Sequence, residues 1–193
     1  MFNAQVSVSS LTCSCDAAES LRRAARIAAF VLFTAVGAQL AVRLPWTPVP
    51  VTMQTLFVVL AGVVLGPRDG FRAMTAYLCL GAVGAPVFAG FAFGPAAFVG
   101  PTGGYLVAFP AAALLSGAVA RARPGRGGVF IAALAGSAAI LAGGTLHLGL
   151  WAGRVSASVV ALAVTPFIAG ELLKGVLAAA LAGGNRKAAR PGS

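Results

Sequence analysis

Acidic residues are scarce in this chain. Its 193 residues include four Asp/Glu, and charged types together make up 9%, against roughly 25% in ordinary globular domains. With 59% apolar residues and a mean hydropathy of +0.93, such a sequence is neither disordered nor an ordinary soluble enzyme. The three cysteines, Cys13, Cys15 and Cys79, make no disulfide scaffold, and a C-x-C pair is half a metal site at best. The one histidine, His147, lies ten residues from Ser137 on a single apolar run, which is not a serine–histidine nucleophile arrangement. No G-x-x-x-x-G-K-[ST] loop occurs, so ATP hydrolysis by a P-loop is not expected of this chain. Paired carboxylates and metal-spaced Cys/His are also lacking, so neither a catalytic set nor a metal site is expected.

Long apolar runs are what the chain has in abundance. Charge-free stretches cover 27–42, 44–67, 73–120, 127–153, 155–170 and 175–185. A membrane-spanning helix needs about 20 residues. The stretch 73–120 is too long for one helix, and its Gly/Pro cluster between Pro86 and Gly104 marks a loop inside it. The last two stretches are separated only by Glu171–Lys174 and are too short for two spans. They read as one helix with charges inside it. The expected spans are 23–42, 52–66, 72–89, 104–120, 128–151 and 157–183, with Pro166 kinking or interrupting the last.

Basic residues set the orientation. The formal charge is +10, from 14 Lys/Arg. Arg22, Arg23, Arg26, Arg68, Arg72, Arg121, Arg123, Arg126, Arg186, Lys187 and Arg190 fall on the side of the termini, and only Arg43 and Arg154 fall opposite. That bias places both termini in the cytoplasm and accounts for the charge without nucleic acid. The expected architecture is an all-α bundle of six transmembrane helices over 22–184. A poorly ordered tail precedes it at 1–21, and a basic cytoplasmic tail follows at 185–193.

Two outer loops are unlike ordinary connections. Residues 43–51 hold Pro45, Trp46, Pro48 and Pro50. Residues 86–104 are Gly/Pro-rich and charge-free, with Phe88, Phe91, Phe93 and Phe98. Such loops either cover a site or rest among lipid headgroups, where aromatics also collect.

Glu171 and Lys174 are the sharpest candidates. Spaced i, i+3, they share a helix face. Lys174 lies about 14 Å from the end of its span at 1.5 Å per residue, near mid-membrane. Each charge there costs about 2.5–3.5 kcal/mol on insertion scales, so the pair is either a structural tie or a ligand site facing the bundle interior. Gln54 opens the second span after an extended lead-in fixed by two prolines, and Thr52 is placed to cap that helix. Gly103 and Gly104 allow close backbone approach at the start of the fourth span. Ala24, Ala25, Ala28 and Ala29 form overlapping small-residue pairs on the first, a packing face for another helix.

Five segments occur in a family-like order: PVPVTMQT at 48–55, LGP at 65–67, GAVGAPVFAG at 81–90, GPTGGY at 100–105 and PFIAGELLK at 166–174. Together they resemble the BioY family, the biotin-binding S components of energy-coupling-factor (ECF) vitamin transporters, over about 24–182. The resemblance implies a six-helix S-component fold with a biotin pocket in its outer half, closed by the first and third loops. It implies that biotin is transported cargo, with no cofactor. Glu171, Lys174, Gln54 and the Gly103/Gly104 backbone would supply polar contacts, and Trp46, Phe88 and Tyr105 apolar ones. The Ala24–Ala29 face would meet a transmembrane T component, with ATP hydrolysis in separate ABC-type ATPase subunits. The location implied is the bacterial inner membrane, as a multi-pass protein. Homo-oligomerisation stays open. One departure stands out: the family pattern has Asp where this chain has Glu171. The alternatives are an S component for another small vitamin and an intramembrane enzyme using Glu171.

Overall fold

A computed structural model describes residues 4–45, 47, 49–153 and 157–183. The elements run α1 (Ala4–Gln39), β1 (Ala41–Val42), β2 (Val51–Thr52), α2 (Gln54–Leu65), α3 (Pro67–Ala82), a 3-10 turn (Ala89–Phe91), α4 (Ala96–Val99), α5 (Gly103–Val107), α6 (Phe109–Ala122), α7 (Arg126–Trp151) and α8 (Ala157–Gly183). The all-helical expectation holds, apart from the two-residue strands, which pair antiparallel with Ala41 opposite Thr52 and Val42 opposite Val51.

α2 is the central element and packs against α1, α3, α6, α7 and α8. Its residues from Val58 to Val63 are all buried, as expected of an apolar helix enclosed by others. Small residues permit the close approach. A side chain at Gly62 would meet the Ala113 carbonyl and the Ser116 hydroxyl, and one at Gly117 would meet Gly62 and Pro67. The α2–α3 turn depends on Gly66, at φ +90°, where an L side chain is strained, and Pro67 then starts α3 at a position that lacks an acceptor anyway.

Several boundaries differ from the sequence expectation. α1 is helical back to Ala4 where a poorly ordered tail was expected. α3 starts earlier and stops at Ala82, because Gly84 turns left-handed at φ +112° and Pro86 follows. The expected span 104–120 is α5 and α6 with a break at Ala108, since Pro110 has no N–H to continue the ladder. α8 continues through Pro166 without interruption. A proline removes one helical hydrogen bond, a loss that helices packed among neighbours tolerate.

Among the described residues, α7 alone is long and apolar enough by length and composition to cross a membrane. α2 and α6 are apolar but have 12 and 14 residues, about 18 and 21 Å at 1.5 Å per residue. The two ends of the bundle differ in chemistry. At one end Arg23 and Arg72 bind Asp69, and Arg121 lies against Gly66. The β1–β2 hairpin and the long loop between α3 and α5 gather at the other.

Candidate ligand-binding site

α2, α7 and α8 converge on a cavity of about 470 Å³, within the range of small-molecule sites. At its polar end sits the α8 pair, with Glu171 and Lys174 5% and 6% exposed. Lys174 Nζ donates to Glu171 Oε1 at 2.7 Å and to Thr55 Oγ1 at 2.8 Å. The Thr55 hydroxyl donates in turn to Glu171 Oε1 at 2.8 Å, and Ser137 Oγ donates to Glu171 Oε2. Three elements therefore hold one carboxylate: α2 through Thr55, α7 through Ser137 and α8 through Lys174.

The remaining hydrogen-bonding capacity follows by counting. A carboxylate offers about four lone-pair positions and an ammonium three N–H groups. Among the described residues, Oε1 accepts from two donors and Oε2 from one, while Lys174 spends two of its three N–H groups. That count leaves one acceptor position on Glu171 and one N–H of Lys174 without a partner among the described residues, and both residues line the cavity. A group that carries N–H next to C=O can use both.

Gln54 forms a second polar position. Its Nε2 donates to the Tyr77 hydroxyl at 2.6 Å, its Oε1 accepts from Thr52 at 3.3 Å, and the Tyr77 hydroxyl donates to the Val87 carbonyl at 2.8 Å. That chain ties the first turn of α2, through α3, to the long loop. The walls are otherwise apolar, formed mainly by Phe88, Tyr105, Phe109, Ile140 and Phe167. Phe88 packs edge-on against Tyr77 and Phe98 at ring separations of 5.5 Å, and Tyr105 lies 6.0 Å from Phe167.

Loop segments close the opposite end. Arg43, Thr47 and Val49 come from the first loop, and Ala92, Gly100 and Thr102 from the long one. Two side chains pin the long loop. Gln39 of α1 donates to the Phe88 carbonyl at 3.1 Å and accepts from the Phe91 N–H at 3.2 Å, holding a turn in which Phe91 has φ +59°. His147 of α7 pairs through Nε2 with the Gly100 carbonyl at 3.0 Å. Because a carbonyl only accepts, Nε2 carries the proton. Arg43 lines the cavity, and no ion pair engages it among the described residues.

Of the residues selected from sequence, the structure brings Glu171, Lys174, Gln54, Phe88 and Tyr105 to one cavity. Trp46 lies outside the described residues. Gly103 and Gly104 do not line the cavity. They are packing glycines: a side chain at Gly103 would strike the Phe98 carbonyl, and one at Gly104 the His147 side chain and the Gly143 carbonyl. Ala24, Ala25 and Ala28 are exposed on α1, with Ala29 half-buried. Thr55, Ser137 and Arg43 also line the cavity, and Tyr77 stands behind Gln54; none of the four was selected from the sequence. For Ser137 the available signal was a hydroxyl within an apolar helix, where interhelical hydrogen bonds are the usual use.

Comparison with known proteins settles the family. A family model described as the BioY family matches residues 7–191. The chain belongs to the BioY family. A probable biotin transporter BioY of Pyrococcus horikoshii is 43% identical over 157 residues, covering 81% of this chain and 91% of that protein. A biotin transporter BioY of Thermotoga maritima is 35% identical over 162 residues, covering 84% and 94%. The crystal structure of an S-component for biotin from an ECF-type ABC transporter superposes with a TM-score of 0.80 at 25% identity. It covers 90% of this chain and 94% of the other. The membrane setting of the site follows from membership of this transporter family.

Proposed function

We propose that this chain is the biotin-capturing S component of an ECF-type transporter, a transport subunit and not an enzyme. The observation that carries the reading is the buried Glu171–Lys174 pair, fixed by Thr55 and Ser137 and lining a mostly apolar cavity with one acceptor position and one N–H left over. Biotin is a ureido ring, an apolar thioether ring and a carboxylate tail. In this reading a ureido N–H meets Glu171 and the ureido oxygen meets Lys174. The thioether ring packs among Phe88, Tyr105, Phe109 and Phe167, and the tail points to Arg43, an exposed guanidinium on the cavity lining that can pair with a carboxylate. Gln54 offers a further acceptor beside the ring.

The wider setting belongs to the same proposal. Six segments cross the cell membrane with both termini cytoplasmic, so the Arg23–Asp69 end faces inward and the cavity opens outward. The loops around Arg43 and Gly100 open to admit biotin and close over it. The exposed Ala24, Ala25 and Ala28 stripe meets a T component, and ABC-type ATPases supply the energy. The test is displacement of labelled biotin from the purified chain by a vitamin panel, repeated with Lys174→Ala and Glu171→Ala. Biotin alone displaces label at low concentration, and both variants lose affinity. Displacement by a different vitamin, or unchanged affinity in both variants, overturns the reading.

A further inference from the structure

Ser137, on α7, lines the cavity, and its hydroxyl donates to Glu171 Oε2. We infer that Ser137 is a specificity-determining residue that sets the charged pair to accept a neutral N–H/C=O edge and to reject a cationic edge made only of donors. The inference rests on the biotin reading of the cavity.

With Ser137 in place, three of about four lone-pair positions on Glu171 are filled, and one faces the ligand. A ureido edge uses that acceptor and supplies a carbonyl to the third N–H of Lys174. A cyclic guanidinium has the same ring shape but presents N–H groups at every position. Its second donor finds Oε2 already occupied, and Lys174 finds no acceptor. Unmet donors in a dry cavity oppose binding, and two cations side by side add to that. Removing the Ser137 hydroxyl frees the second lone-pair position of Glu171 Oε2, so that this oxygen can accept two N–H groups of a guanidinium.

A purely structural role, tying α7 to α8, predicts something different. Loss of the hydroxyl would then change stability and would weaken all ligands of this shape together. The discriminating readout is a ratio: affinity for biotin over affinity for 2-iminobiotin, its cyclic guanidinium analogue, measured at neutral pH on the full chain in detergent. Wild type prefers biotin. Ser137→Ala narrows that preference by about tenfold, the scale of one hydrogen bond to a charged group. Ser137→Thr, which keeps the hydroxyl, restores it. Ser137→Cys, similar in size but a weak donor, falls between them and serves if Ala impairs folding. An unchanged ratio in a Ser137→Ala protein that still binds biotin overturns the inference alone. Failure of the wild type to bind biotin overturns the functional reading, and this inference with it.

Discussion

The molecule contains two ion clusters built from the same chemistry in opposite surroundings. At one end Arg23 and Arg72 grip Asp69, with Arg23 Nε 2.8 Å and Arg72 Nη1 3.0 Å from its oxygens. In the cavity Lys174 sits 2.7 Å from Glu171. The distances are alike, but the side chains are 52%, 56% and 19% exposed in the first cluster and 7% and 6% in the second. Water screens the first, so it contributes little to stability and nothing to ligand binding. Burial makes each charge of the second dependent on its partner, and leaves the pair able to recognise a polar edge. Proximity of opposite charges therefore says little until burial is known.

The comparison breaks most visibly at Lys174. Lys174→Ala leaves Glu171 buried without its cation, a loss of about 3–5 kcal/mol for buried pairs. Biotin affinity is expected to fall at least about 100-fold, and thermal stability falls with it. The double variant Glu171→Leu/Lys174→Met sharpens the point. Thermal unfolding shows stability recovered relative to Lys174→Ala, while calorimetry shows biotin binding still lost. Recovery of binding would mean that the pair only ties helices together.

Thr55→Val comes next. It removes one donor to Glu171 and one acceptor for Lys174, and equilibrium binding should weaken about tenfold. Gln39→Ala and His147→Ala release the long loop without touching the polar end of the cavity. Stopped-flow measurement should show dissociation faster by about fivefold with association little changed, since contacts that hold a closed state act mainly on the off-rate.

The smallest effect is at the exposed cluster. Asp69→Asn should change biotin affinity less than about twofold, because its charges are screened and remote from the cavity. It has a pH signature instead. The Arg23 guanidinium beside Asp69, with Arg72 helping, holds that carboxyl below the usual carboxylate range. A lowered native value means the contribution is complete above the unfolded value of about 3.9 and is lost as pH falls through the native one. Unfolding scans below about pH 4 should therefore separate wild type from Asp69→Asn less than scans at neutral pH, and high salt should erase the difference.

The sequence made some features plain for physical reasons. Glu171 and Lys174 stood out because charges inside an apolar helix need a cause. The apolar runs marked α2, α6, α7 and α8 because a buried helix leaves little room for polar side chains. Ser137 and Thr55 stayed hidden because a hydroxyl in a helix is as able to bond its own backbone as another helix, and sequence does not show that both reach Glu171. Tyr77 stayed hidden because its partner Gln54 is 23 residues away in sequence. Gly103 and Gly104 report a close approach without saying of what: here Gly103 lies against the Phe98 backbone and Gly104 against His147 and Gly143 of α7. The break at Ala108 shows that an apolar run fixes composition but not continuity, which Pro110 decides.

Calorimetric titration of the purified chain with biotin in detergent tests the central claim most directly. Binding is expected to saturate at one biotin per chain, with sub-micromolar affinity in wild type and lost in Lys174→Ala. Absence of saturable heat, with no displacement of labelled biotin from folded wild-type protein, would contradict it.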